Sequence, residues 1–308
     1  MRWLAWLLVL FGSSVAPAWG QPLSEPLRLR LTWENDLLAG QDRHYTNGAE
    51  VSIAGPLDPD RLPSLLGGPC RDWEVALGQQ IYTPEDTSSP TPDPGIRPYA
   101  GLAYLRLGVT RRDVALETSD RLELTLGLVG PASGAEAAQR LFHRLTGSSP
   151  AEGWARQLRH EPALALRYTV SPRLARGHAL GLDADLTGDL ELALGNLTTH
   201  VGVGGALRVG LGVPDEYSAS SPAPLRCYLT ASARVRAVGY DLLLDGNLFR
   251  SGGPSVRKQP LVAELSLGLT VAISDRLAVS YTHTYRSPQF VGQRRGDQFG
   301  AIALTASW

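Results

Sequence analysis

Beyond residue 20 the chain lacks any apolar run long enough to cross a membrane as a helix. If it resides in a membrane it must therefore do so as a closed barrel, the other fold that satisfies every backbone group in lipid. Lysine is nearly missing: Lys258 is the only one, and every other cation is arginine. Arginine suits bidentate phosphate binding, and a compositional bias of the genome accounts equally well for the count. Neither sign of charge dominates, with 29 basic and 30 acidic residues, so nothing points to nucleic acid as a partner. Cysteine is scarce too, only Cys70 and Cys227. Two isolated cysteines make a poor metal site, and they pair only if their segments meet at one rim.

The first twenty residues read as a secretory signal peptide. Arg2 supplies the positive start, Trp3 to Phe11 the apolar run, and Ala18-Trp19-Gly20 a small-x-small cleavage pattern. Residues 21–308 then form one domain, delivered to an oxidising compartment.

From Leu27 onward the period is two nearly everywhere. Leu27, Leu29, Leu31 and Trp33 share one face, while Arg28, Arg30, Thr32 and Glu34 share the other. Leu261, Ala263, Leu265, Leu267, Leu269, Val271 and Ile273 alternate in the same way, as do Leu122, Leu124, Leu126 and Leu128. Long strands with charge on the second face, in an exported chain, predict apolar-out and polar-in barrel strands. The pattern predicts strands over 27–36, 46–56, 72–83, 99–111, 120–130, 162–171, 178–194, 198–212, 225–244, 260–273, 276–286 and 297–308. The predicted fold is all-β: an antiparallel transmembrane barrel of about twelve strands, an even number as single-chain bacterial barrels have. The final strand ends Ile302, Leu304, Ala306, Trp308 on one face, a terminal aromatic of the kind read by the barrel-assembly machinery.

With both termini in the periplasm, the loops at the outer rim carry nearly all the unusual residues, and the inner turns at 172–177 and 274–275 are plain. One outer loop is not strand-like. Residues 134–145 are rich in helix formers, with Ala138, Leu141, Phe142 and Leu145 on one stripe and Glu136, Gln139 and His143 on its neighbour. Gly147 is the stop, so a short amphipathic α-helix presents His143 towards the barrel wall.

At the same rim Asn35 and Asp36 end the first strand, and Tyr45-Thr46-Asn47-Gly48 begins the second. Asp36, Asn35 and Thr46 offer oxygens of the kind a hard cation such as calcium takes. Taken alone they are also ordinary hairpin residues. Of six histidines (His44, His143, His160, His178, His200 and His283), His143 is set apart because its helix brings it to the same rim as Asp36 and Thr46, and the other five read as structural or exposed. A neutral imidazole there can take a proton from water. The competing serine nucleophile has no Gly-x-Ser-x-Gly elbow, and Ser133, Ser148 and Ser149 are accounted for by the helix ends.

These residues form an ordered set that resembles the lipid A 3′-O-deacylase (LpxR-type) family of Gram-negative outer membranes. It runs from Glu34-Asn35-Asp36 and Asp42-Arg43-His44-Tyr45-Thr46-Asn47-Gly48 through Gln80-Ile81-Tyr82-Thr83-Pro84 and Arg97-Pro98-Tyr99-Ala100-Gly101. Gly130-Pro131, Gln139, His143, Gly153-Trp154, Glu161-Pro162, Asp245-Gly246-Asn247, Phe290, Gln293 and Gln298-Phe299-Gly300 follow. The resemblance implies an outer-membrane hydrolase that removes the 3′-linked acyloxyacyl group of lipid A, dependent on calcium (Ca2+). By position it implies Asn35, Asp36 and Thr46 in the active site with the metal, and His143 as general base.

Two departures stand out. The family often carries an acidic residue six positions after the histidine, where this chain has Ser149; Glu152 is the nearby acid that would replace it as a ligand. Contacts to lipid A phosphates fall to arginines, with Arg97, Arg140 and Arg144 as candidates. The residues leave two rivals open: a non-catalytic channel or structural barrel, and a phospholipase or deacylase of other positional specificity.

Overall fold

The computed structural model describes residues 27–57, 70–215, 217 and 226–308, with the side chains of Cys70 and Arg71 left aside. The predicted signal peptide therefore lies outside the described residues. The chain forms a closed antiparallel barrel of twelve strands in sequence order. They are β1 (Arg28–Asn35), β2 (Tyr45–Pro56), β3 (Cys70–Tyr82), β4 (Ala100–Asp113), β5 (Thr118–Val129) and β6 (Glu161–Ala179). β7 (Leu182–Leu194), β8 (Thr198–Leu211), β9 (Cys227–Asp241), β10 (Leu261–Ser274), β11 (Leu277–Arg286) and β12 (Asp297–Ser307) complete it. β12 closes on β1 from Arg28 opposite Ser307 to Asn35 opposite Gly300.

Burial runs opposite to that of a soluble sandwich. Leu265 and Leu267 on β10 are 56% and 57% exposed, while Glu264 between strands is shielded and paired with Arg236 (2.7 Å) and Arg286 (2.5 Å). Apolar side chains thus face outward, and the inner wall carries arginine–carboxylate pairs such as Arg106 with Glu50 (2.8 Å) and Arg121 with Glu74 (2.8 Å). Among the described residues no helix is long and apolar enough to cross a membrane. The strands do so.

Two boundaries differ from the sequence reading. The predicted turn at 172–177 is strand: Ser171 and Pro172 pair with β5 while the ladder to β7 skips them and then bulges between Arg173 and Ala175, and the chain reverses at Leu180-Gly181 instead. A proline is tolerated where pairing is already interrupted. The predicted strand to residue 244 stops at Asp241, whose carboxylate accepts from Leu243 N (2.9 Å) and caps the helical turn α2 (Leu242–Asp245). That turn buries Leu242, Leu243 and Leu244.

The two cysteines do not meet. β3 and β9 lie six strands apart in the ring of twelve, on opposite sides of the barrel, and Cys227 is a free thiol.

The outward face predicts its own sensitivity. Leu267→Arg places a charge in hydrocarbon at mid-strand and should cost about 2–4 kcal/mol, whereas Ser266→Thr on the inner face should be close to neutral. Unfolding of both variants in lipid vesicles measures the difference.

Candidate active site

The candidate residues lie on the outer surface of the wall, where β1, β2 and β3 meet a helix laid over them. Alternation puts Trp33 and Asn35 on the lipid-facing side of β1, and Ile81 and then Thr83 on that side of β3. α1 (Ala135–Thr146) starts against β4 and β3. There Gly101 allows the close approach, since a Cβ would collide with Ala135 and Ser133. Ile81, Tyr99, Ala135, Ala151 and Trp154 form the apolar seam beneath the helix. Gln139 turns inward and accepts from Trp154 Nε1 (2.6 Å), and Phe142 reaches Trp33 of β1, with ring centroids 6.5 Å apart.

That last contact sets the C-terminal half of α1 over the strand that ends in Asn35 and Asp36. Asn35 is buried and fixes two strands at once: its Nδ2 donates to Thr46 O (2.7 Å), and its Oδ1 accepts from Leu37 N (2.8 Å). The second bond caps the single turn of 3-10 helix over Asp36–Ala39. Thr46 is the extra residue of a β-bulge, because pairing with β3 shifts between Tyr45 and Asn47. The bulge re-aims its hydroxyl, which shares a hydrogen bond with Thr83 Oγ1 (2.8 Å).

Asp36 is only 2% exposed, and its Oδ2 accepts from Arg43 N (2.6 Å). Burial pushes its carboxyl up to about 7; the Arg43 amide opposes this, and the nearby Asp42 charge adds to it. The Arg43 amide is itself held, because His44 beside it bonds Asp297 at the start of β12 (Nδ1 to Oδ1, 2.8 Å) and packs edge-on against Phe290.

His143 is half-buried, and its Nδ1 lies 2.6 Å from the carbonyl oxygen of Ser149. The helix end creates this contact: Gly147 caps α1 in the left-handed region (φ +73°), and Ser148 N returns to His143 O (3.0 Å). With Nδ1–H donating to that carbonyl, Nε2 is left as the unprotonated nitrogen. Residue 149, where an acid would be expected, thus contributes its backbone.

The other candidates sit elsewhere. Arg97 is 1% exposed, stacks over Tyr82 (4.3 Å) and donates to Gln289 Oε1 (2.9 Å). Tyr82 and Gln289 line the luminal cavity, so Arg97 belongs to the lumen side, where burial lowers its guanidinium. Arg140 pairs with Glu136 (2.7 Å) along the exposed face of α1, and Arg144 is exposed in the last turn. Glu152 is exposed; its backbone N bonds Thr87 O (2.9 Å) rather than a residue of the Asp36 loop. Sequence reasoning assigned no role to Thr83, His44 or Asp297. Thr-Pro directly after a strand is a signal for the first; nothing local marks the other two, which meet across the barrel seam.

The side-chain ligands that Asp36, Asn35 and Thr46 offer are oxygens, the hard donors that calcium takes. Among the described residues no cluster of three His, Cys, Asp or Glu side chains exists. A cation here would rest on one buried carboxylate whose desolvation it relieves, with hydroxyl and carbonyl oxygens completing the shell.

Comparisons with known proteins bear on the fold and the family. No curated protein matches. Among solved structures, LpxR from Salmonella typhimurium superposes with a TM-score of 0.76 at 19% identity, covering 91% of this chain and all of that one. The transport unit of the autotransporter AIDA-I from Escherichia coli is more distant, with a TM-score of 0.45 at 13% identity over 92% of this chain and 90% of that one. The family described as "Outer membrane protein LpxR" matches residues 4–308. The chain belongs to the LpxR family of outer membrane proteins.

Proposed function

We propose that this protein is an outer-membrane lipid A deacylase that hydrolyses the 3′-linked acyloxyacyl ester with His143 as general base and calcium at Asp36. The observation that carries the substrate is membership of a family that acts on lipid A, over nearly the whole chain. The mechanism rests on the placement of α1 over the outer wall, where Phe142 meets Trp33 of β1.

On the lipid-facing side of the wall, a membrane-held ester would reach His143 without leaving the leaflet. His143 Nε2 takes the proton of a water while its Nδ1–H stays on the Ser149 carbonyl, and the hydroxide formed adds to the ester carbonyl carbon. The imidazolium then returns its proton to the leaving sugar oxygen, releasing the acid without a covalent acyl-enzyme. Asp36, with the Thr46 hydroxyl and neighbouring carbonyls, would hold the calcium ion, which when bound would supply positive charge against the developing oxyanion. Asn35 orients Asp36 and Thr46, both of its amide atoms being already bonded. Arg144, exposed on the helix beside His143, is available to a lipid A phosphate, and Arg140 shares that face.

Mass spectrometry of lipid A after incubation with the purified barrel tests the reading. The expected product lacks the 3′ acyloxyacyl group in calcium and is absent in chelator. His143→Ala should lower the rate on the order of 10²–10⁴-fold; unchanged product would remove the histidine from the mechanism.

Asp36→Asn should lower the rate on the order of 10²-fold or more and abolish the response to added calcium. Full activity with retained calcium dependence would place the metal elsewhere.

The Ser149 carbonyl makes a sharper distinction. Ser149→Ala keeps the backbone and should stay within about twofold of the parent. Gly147→Val forces a branched side chain into left-handed backbone at about 1–2 kcal/mol, displaces residue 149 and should reduce kcat far more than KM. Equal effects of the two substitutions would contradict orientation by the backbone.

A further inference from the structure

Barrel closure gathers four arginines from distant parts of the chain at the end that carries the C-terminus. Arg28 and Arg30 come from the inward face of β1, Arg226 from just before β9, and Arg276 from the turn between β10 and β11. They line one cavity of about 220 Å³, with hydroxyl groups including those of Tyr228 and Ser280. Among the described residues no carboxylate lines it.

This departs from the rest of the inner wall. Every arginine on β3 to β11 whose side chain is described reaches a carboxylate: Arg106, Arg121, Arg167, Arg234, Arg236 and Arg286 on the wall, and likewise those nearer the ends. At the four-arginine cavity, the guanidiniums of Arg226 and Arg276 have no acidic partner among the described residues. Among the described residues Arg30 reaches only the Thr32 hydroxyl (3.3 Å).

Arginine cannot shed its proton to relieve this repulsion. A concave wall lined by one sign of charge concentrates counter-ions. Guanidinium forks match tetrahedral oxyanions in bidentate fashion, and the hydroxyls add further donors.

We infer that the four-arginine cavity is a binding site for a phosphate-type oxyanion, supplied as free inorganic phosphate or as the headgroup of a phospholipid. It lies at the rim opposite Asp36 and His143, so it stands or falls independently of the hydrolytic reading.

The test uses the purified full-length mature barrel in phosphate-free detergent. Calorimetric titration with inorganic phosphate forms one arm. Native mass spectrometry after exchange from bilayers containing phosphatidylglycerol, or an uncharged glycolipid in its place, forms the other. One saturable site is expected, weakened about tenfold or more by Arg226→Gln with Arg276→Gln, as loss of charged hydrogen bonds predicts. The single variant Arg276→Gln, on a turn, guards against misfolding and should give an intermediate loss with the melting temperature unchanged.

Phosphate binding without lipid retention identifies a free anion. Selective retention of phosphatidylglycerol, lost in the variants, identifies a headgroup. Absence of saturable binding in both arms, or binding that the variants leave unchanged, overturns the site.

Discussion

The physical constraint beneath this structure is that hydrocarbon offers no partner for a backbone amide or carbonyl. An unpaired group there costs several kcal/mol, so the sheet must close on itself. Closure of β12 on β1 is therefore more than the last pairing of twelve. It fixes which face of every strand meets lipid, and so decides that Trp33 and Asn35 point out of the barrel while Glu34 points in. The same seam brings Asp297 to His44, and His44 steadies the Arg43 amide that bonds Asp36. A pairing required by the solvent of the membrane thus supports a carboxylate at the rim.

What makes the site differ from the rest of the wall is a set of local departures from regular strand. Regular pairing would run the first hairpin on as an ordinary ladder. The bulge at Thr46 breaks that ladder, turns the hydroxyl to Thr83 and frees the Thr46 carbonyl for Asn35. Asn35 then serves as a helix cap, and the short 3-10 turn it starts carries Asp36 into a dry position. A desolvated carboxyl near 7 is only partly compensated by the backbone amides that reach it, Arg43 foremost, which is the environment in which a hard cation gains most from binding. The helix contributes by the same economy: its capping turn, and not a second acid, holds the imidazole of His143.

Most of the barrel was legible in the sequence because alternation and burial impose the same period of two. The helix was legible for the complementary reason, a change of period between Gly134 and Gly147. The misread boundaries share a cause. Ser171-Pro172 and Leu242–Asp245 each carry a local signal whose meaning depends on a neighbouring strand: a proline ends a strand only if nothing across from it can absorb a bulge, and a leucine run continues one only if no cap intervenes. Arg97 shows the limit for single residues. Its place in the sequence suits a surface phosphate contact, but the loop folds back so that Tyr82 and Gln289 hold it on the luminal side.

Charge placement separates what alternation can and cannot tell. Alternation shows that Arg28, Arg30, Glu264 and Arg286 all face inward, but not which of them meet. Pairing requires neighbours in the ring, and strand order supplies them: Glu264 on β10 lies between Arg236 on β9 and Arg286 on β11. A buried carboxylate between two guanidiniums offsets the desolvation of all three, whereas either arginine alone would not. At the terminus-bearing end arginines from both sides line one cavity, with no carboxylate among its described lining. Among the described residues Arg226 and Arg276 reach no carboxylate there, which is what separates them from the arginines that Glu264 holds on either side.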